Sequence, residues 1–224
     1  MNAAIIVAAG KGVRMGADKL WLHIAGRPVV AHTWQQFNDS PDIAEIILVV
    51  RDGLQSAFSE LAATFQFQKP FRIVVGGAER QDSVWNGLEA LSAETQIVAI
   101  QDAARPCTSA ALIKATITAA RETGAAVAAQ PVTDTIKESA DGQTISRTVD
   151  RAKLWSVQTP QTFRVEVIRR ALGEVRRRGQ ILTDDTAACE LIGQSVRLVS
   201  GTTPNPKITV PADLPLVEAL LRAG

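Results

Sequence analysis

Two glycine-rich turns, one acid and several scattered cations are the residues whose types and spacing could do chemistry in this chain. The first turn is Ala8-Ala9-Gly10-Lys11-Gly12-Val13-Arg14-Met15-Gly16, directly after the apolar run Ile5-Ile6-Val7. Its glycines let backbone pass close to a ligand and aim N–H groups at it, which suits phosphate. The spacing is neither the Gly-x-Gly-x-x-Gly of dinucleotide sites nor a Walker loop. Lys11, Arg14 and Lys19 lie in it or just after it, a cation set fit for a triphosphate. Read blandly, it is a strand-to-loop turn with surface cations. The second turn, Gly76-Gly77-Ala78-Glu79-Arg80-Gln81-Asp82-Ser83, closes another apolar run. On spacing alone, Asp82 or Ser83 caps the helix that follows.

The acid is Asp102, in Gln101-Asp102-Ala103-Ala104-Arg105-Pro106. It follows the run Ile97 to Ile100, so it sits at a strand's C-terminal end, where open α/β sheets bind ligands. One carboxylate is a hard oxygen ligand for a Mg²⁺ held mostly by phosphate and water. Arg105 can clamp phosphate, or simply pair with Asp102. In the C-terminal half, Asp134-Thr135-Ile136-Lys137, Asp150-Arg151, Gln158-Thr159-Pro160-Gln161, Thr183-Asp184-Asp185 and Asn205-Pro206-Lys207-Ile208-Thr209 stand out. Each also reads blandly: Thr183 as a helix cap, Pro204-Asn205-Pro206 as a plain turn. No Ser or Cys shares a motif with a His, so covalent catalysis is not indicated. Cations, backbone amides and an acid suit phosphoryl or nucleotidyl transfer, where positioning and charge neutralisation dominate.

The elements that must position these groups are legible in the apolar pattern. Short β-branched runs recur at Ile5, Ile46–Val50, Ile73–Val75, Ile97–Ile100 and Ala125–Val127. Continuous apolarity implies strands covered on both faces. Helical stripes fill the intervals: 28–37, 55–65, 83–91 and 108–123, the last capped by Thr108 or Ser109 and stopped by Gly124. The fold class is therefore α/β: a Rossmann-like, mainly parallel sheet with helices on both faces. Polar residues 131–150, turning at Asp141-Gly142, read as a projecting β-arm. A strand at 154–157, helices at 165–178 and 184–192, a strand at 196–199 and a helix from Ala212 complete the chain. The arginines of 165–178 are interspersed with Glu166 and Glu174 and read as a solvated face. One domain over residues 1–224 is expected.

Composition narrows the classes. The chain has 224 residues, 46% hydrophobic and 21% charged, and a net charge of +1. It is neither disordered nor a coiled coil, and it lacks the basic excess of a duplex nucleic-acid binder. Two cysteines and two histidines without metal spacing argue against zinc. No run approaches membrane-spanning length, so a soluble cytoplasmic protein is expected.

Taken in order, Ala8-Ala9-Gly-x-Gly-x-Arg14, Gly76-Gly77-x-x-Arg80-x-x-Ser83-Val84, Asp102-Ala-Ala-Arg105-Pro106, Asp134-Thr135-x-Lys137, Asp150-Arg151-x-x-Leu154-Trp155, Gln158-Thr-Pro-Gln161, Thr183-Asp-Asp185 and Asn205-x-Lys207-x-Thr209 resemble one family. It is the 2-C-methyl-D-erythritol 4-phosphate cytidylyltransferases of non-mevalonate isoprenoid synthesis, and the likeness runs from Ala3 to about Leu221.

The resemblance implies that CTP binds with Mg²⁺ and that the 4-phosphate of methylerythritol phosphate attacks its α-phosphorus, displacing pyrophosphate. It implies nucleotide contacts from Ala8, Ala9, Gly10, Gly12, Gly77, Ser83, Asp102 and Ala103, and a metal contact from Asp102. Arg14, Lys19 and Lys207 become the catalytic cations. Arg105, Thr135, Arg151 and Thr183 fall on the sugar-phosphate side. Family members are homodimers with interlocking arms, so Thr135 and Arg151 would serve the neighbouring subunit. Some relatives fuse this domain to the next-but-one pathway enzyme; here the chain is expected to end with the domain. The chain departs from the pattern at Asp18-Lys19-Leu20, where Pro-Lys-Gln is usual, at Gln101 for His, at Ala78 for an acid, and at Pro206. Two rival readings are another sugar-alcohol phosphate acceptor, such as ribitol 5-phosphate, and a non-catalytic CTP-binding protein.

Overall fold

The computed structural model describes residues 1–10 and 18–223. Gly12 and Arg14 therefore lie outside the described residues. In chain order the elements are β1 (Asn2–Ala8), β2 (His23–Ile24), β3 (Arg27–Pro28), α1 (Val29–Asp39), β4 (Glu45–Val50), α2 (Gln55–Phe65), β5 (Phe71–Val75), α3 (Arg80–Glu89), β6 (Ile97–Asp102), α4 (Ala110–Thr123) and β7 (Ala125–Pro131). They continue with β8 (Lys137–Glu138), β9 (Arg147–Thr148), β10 (Trp155–Arg164), α5 (Val165–Arg178), α6 (Asp185–Leu191), β11 (Arg197–Val199) and α7 (Leu214–Ala223).

Seven strands form one sheet in the order β11-β7-β10-β6-β1-β4-β5. The pairs β6–β1, β1–β4, β4–β5 and β11–β7 are parallel, while β10 runs antiparallel to both β6 and β7. The expected Rossmann-like α/β sheet is present. Alternation along each strand splits the core in two. On one face Ala4, Ile6, Ile46 and Leu48 pack with Trp34, Phe37 and Phe58 of α1 and α2. On the other, Ile5, Ile47 and Ile100 pack with Leu88, Ile168 and Leu172 of α3 and α5. Two covered faces explain why the strands read as unbroken apolar runs.

Several boundaries differ from expectation. α3 opens at Arg80, with Glu79 as its N-cap residue, and Asp82 Oδ2 accepts the Glu79 N–H at 3.1 Å. Asp82 thus works back from the first turn. The cap of α6 is Asp184, whose Oδ1 accepts the Ala187 N–H at 3.0 Å, not Thr183. The cap of α4 is Ser109. The strand expected at 154–157 continues to Arg164 as β10, because a register shift between Val157 and Gln161 absorbs the polar Gln158-Thr159-Pro160 stretch. α7 begins at Leu214 after a single 3₁₀ turn, Pro211–Asp213. The arm is a short exposed hairpin, β8 against β9. Among the described residues, no helix is long and apolar enough to cross a membrane.

Candidate active site

The parallel strands β1 and β6 are neighbours, with Val7 opposite Asp102, so their C-terminal ends open on the same side. A cavity of about 540 Å³ lies there. The end of β1 and its turn contribute Ala8, Ala9 and Gly10; the start of α3 contributes Gly77, Arg80 and Ser83; the end of β6 contributes Asp102 and Ala103. Lys19 and Lys207, from opposite ends of the chain, line the same space.

The second glycine turn is shaped by close approach. A Cβ on Gly76 would sit 2.5 Å from Ala9 Cβ, and one on Gly77 would sit 2.3 Å from Asp82 Cβ. Backbone therefore packs where a side chain would block. Ser83 is buried inside α3 rather than capping it. Its hydroxyl accepts the Gly77 N–H at 3.1 Å and donates to the Glu79 carbonyl at 3.2 Å, which holds the turn against the helix.

Asp102 is the electrostatic centre of the cavity. Lys207 Nζ lies 2.7 Å from its Oδ2 and Arg80 Nε 3.5 Å from its Oδ1. Burial pushes the Asp102 carboxyl up, but the charges of Arg80 and Lys207 outweigh it and hold it below the usual carboxylate range. Arg105 makes no close ion pair with Asp102, but its charge adds a smaller pull in the same direction. Arg80 reaches further, placing Nη1 2.6 Å from Oδ2 of Asp185, which is 1% exposed. Burial pushes the Asp185 carboxyl up, opposed by the Arg80 charge. Lys19 Nζ donates to the Ile208 carbonyl at 2.7 Å, which brings it beside the Lys207 segment. Asp18 pairs with Arg51, so the acid that replaces the usual proline is neutralised by a neighbour.

Arg105, Thr135, Arg151 and Thr183 do not line this cavity. Arg105 is 9% exposed and donates from Nη1 to the Asn205 carbonyl at 2.6 Å. Thr135 and Arg151 are exposed at the arm, with Arg151 bonded to the Thr133 carbonyl. Thr183 is exposed two residues before Asp185. Gln101, at the usual histidine position, is fully buried and donates to the Thr108 hydroxyl at 2.9 Å, a packing role. Burial pushes the thiols of Cys107 and Cys189 up to about 11 and about 12, so neither is a ready nucleophile.

Reading the motifs did not assign roles to Arg80 and Asp185. No local signal marked them, since Arg80 lies ahead of the helix expected at 83–91 and its acid partners, Asp102 and Asp185, are distant in sequence. Among the described residues, no three metal-type ligands cluster. Asp102 offers a carboxylate between the strand ends, and Glu79 lines the same cavity, a sparse oxygen donor set that fits Mg²⁺ carried mainly by substrate phosphates and water.

Known proteins share this sequence and fold over nearly the whole chain. A sequence model of the 2-C-methyl-D-erythritol 4-phosphate cytidylyltransferase family matches residues 2–223. The protein of that name from Alkaliphilus oremlandii is 44% identical over 99% of this chain and 95% of its own length. The crystal structure of 4-diphosphocytidyl-2C-methyl-D-erythritol synthase from Anaerococcus prevotii superposes with a TM-score of 0.87 at 30% identity, covering 99% of this chain and 96% of that one. The crystal structure of 2-C-methyl-D-erythritol 4-phosphate cytidylyltransferase from Thermus thermophilus gives 0.82 at 33% identity, covering 99% and 100%. With a matching fold and full-length similarity, the chain belongs to the 2-C-methyl-D-erythritol 4-phosphate cytidylyltransferase family.

Proposed function

We propose that this chain joins CTP to 2-C-methyl-D-erythritol 4-phosphate. An oxygen of the acceptor phosphate attacks the α-phosphorus, the bond to the β-phosphate breaks, and pyrophosphate leaves with the electron pair. The observation that carries this reading is the convergence of Lys19, Lys207 and Asp102 on a glycine-walled cavity in a member of this family. The turns around Ala8, Ala9, Gly10 and Gly77 offer backbone to the nucleotide, with Ser83 and Ala103 beside them. Lys19 and Lys207 lower the repulsion between two phosphate groups as they meet. By the family pattern, Arg14 is a catalytic cation and Gly12 a nucleotide contact.

The test is pyrophosphate release with CTP, a divalent ion and a panel of acceptors. Methylerythritol phosphate is expected to give the highest kcat/KM. Faster turnover of ribitol 5-phosphate would overturn the acceptor, and CTP binding without pyrophosphate release would favour a silent binding protein.

For the metal, the reading assigns Asp102 as the single protein ligand of Mg²⁺. When bound, the ion would neutralise charge on the phosphates as pyrophosphate departs. Asp102→Asn is expected to raise the Mg²⁺ concentration for half-maximal turnover by about tenfold or more, with little change in melting temperature. An unchanged Mg²⁺ dependence together with a marked loss of thermal stability would reduce Asp102 to an anchor for Arg80 and Lys207.

The arm, residues 131–150, is assigned to a homodimer. Two strands of two residues each are marginal alone and gain stability by packing on a partner. Ile145 in the arm, at 62% exposure, and Trp155 at the start of β10, at 40%, leave apolar surface. Thr135 and Arg151 lie outside the chain's own cavity, which suits service to a neighbour's site. Arg105 and Thr183 complete the sugar-phosphate side in this reading. Sedimentation at micromolar concentration is expected to show a dimer, and a monomer would exclude the arm's role. Free thiols at Cys107 and Cys189 fit the reducing cytoplasm.

A further inference from the structure

Lys207 sits in a stretch without regular secondary structure, between β11 and the turn at Pro211–Asp213. A long side chain on such a stretch has no helix or strand to aim it. One buried amide two residues away supplies what is missing. Asn205 is 3% exposed, and its polar groups are taken up on two other segments of the chain. Its backbone carbonyl accepts Arg105 Nη1 at 2.6 Å. Its Oδ1 accepts the Thr108 hydroxyl at 3.0 Å. Its Nδ2 donates to the Thr159 carbonyl at 2.8 Å and to Gln158 Oε1 at 3.3 Å.

These partners are the one loop that joins β6 to α4, which holds Arg105 and Thr108, and the irregular part of β10. Thr159 closes the circuit: its hydroxyl accepts the backbone N–H of Asp102 at 3.1 Å. On the far side of Lys207, the Ile208 N–H donates to the Ala104 carbonyl at 2.9 Å. Lys207 is thus tethered on both sides to the segment that carries Asp102, and its Nζ reaches that carboxylate at 2.7 Å. Pro204 and Pro206 have no N–H to give, so in this stretch the side-chain amide does the tethering that backbone donors would do elsewhere.

We infer that Asn205 is a positioning residue for catalysis, setting where the Lys207 ammonium meets the reacting phosphates. The inference rests on the cytidylyltransferase reading of this site. A displacement of about 1 Å in such a group can cost ~10² in rate, so a lost tether should show in kcat. A residue that only stabilises the fold would instead act independently of Lys207.

The experiment is a double-substitution cycle on the full chain: Asn205→Ala, Lys207→Ala and both together, with kcat and KM for CTP measured for each. Asn205→Ala is expected to lower kcat by ~10-fold or more and to change KM for CTP by less than about threefold. In the Lys207→Ala background the same change is expected to alter kcat by less than about twofold, because its target is gone. An equal kcat loss in both backgrounds, or none in either, would overturn the inference. If Asn205→Ala shows no cooperative thermal transition, Thr108→Val removes the hydroxyl from Oδ1 and carries the same cycle. A crystal structure of the variant supplies a readout free of any substrate. Lys207 Nζ is expected to lie beyond about 4 Å from Asp102, and an intact pair there would overturn positioning even if the wild-type chain proved to use a different acceptor.

Discussion

Lys207→Ala is expected to lower kcat by ~10²–10³-fold while the protein folds normally and still binds CTP. Lys207 lies at the mouth of β6 with its Nζ 2.7 Å from Asp102, yet the side chain is 39% exposed, so its removal leaves the core intact. Asp102 keeps Arg80 as a partner, which limits the cost to stability. The cation is needed when two anionic phosphates approach, and that demand is greatest in the transition state. Loss of such a group lowers kcat and does not merely raise KM. Lys207→Arg keeps the charge but replaces a compact ammonium with a planar fork, and should recover activity only in part. Saturation kinetics of the three proteins decide the matter. A kcat for Lys207→Ala near that of the wild type would remove Lys207 from the reaction.

Arg80→Met is expected to cost about 3 kcal/mol of stability, the low end for a broken buried pair because Arg80 itself is 27% exposed. The loss falls on Asp185, which is 1% exposed and has Arg80 at 2.6 Å. Without the guanidinium, burial acts on that carboxylate unopposed. For a chain of this length the loss corresponds to a fall in Tm of roughly 6–12 °C.

The pH dependence has a definite sign. A carboxyl whose folded pKa is raised carries no penalty below its unfolded pKa, where both states are protonated. The penalty grows as pH rises from there through the folded pKa. The raised direction for Asp185, increased further in the variant, therefore makes the deficit largest at neutral pH and smaller on approach to pH ~4. Adding Asp185→Asn should return part of the lost stability at pH 7, since it removes the buried charge. Denaturant melts of the wild type and both variants at two pH values test this. A loss below about 1 kcal/mol, independent of pH, would place the pair with ordinary surface ion pairs.

These two side chains show where local reading stops. Strand and helix alternation was legible because sheet burial on both faces forces unbroken β-branched runs such as Ile46 to Val50, and amphipathic helices must lie between them. The glycine turns at 76 and 77 were legible because close backbone approach forbids a side chain. The ordered set of short motifs was enough to place the chain with its family, which full-length similarity bears out.

Partnerships were not legible. Asp102 could pair with Arg105 three residues on, yet it faces Arg80 and Lys207, brought in by the packing of α3 and of the segment after β11. Spacing suggested Ser83 and Thr183 as caps. The caps are Glu79 and Asp184, and Ser83 instead holds the Gly77 turn. Asn205 read as a plain turn residue between prolines and is a buried junction of three segments. The physical reason is range. Periodicity and turn chemistry are set by neighbours within a few residues, and a sequence displays them directly. Which acid meets which cation depends on the strand order that places β6 between β1 and β10, and only the folded sheet decides it.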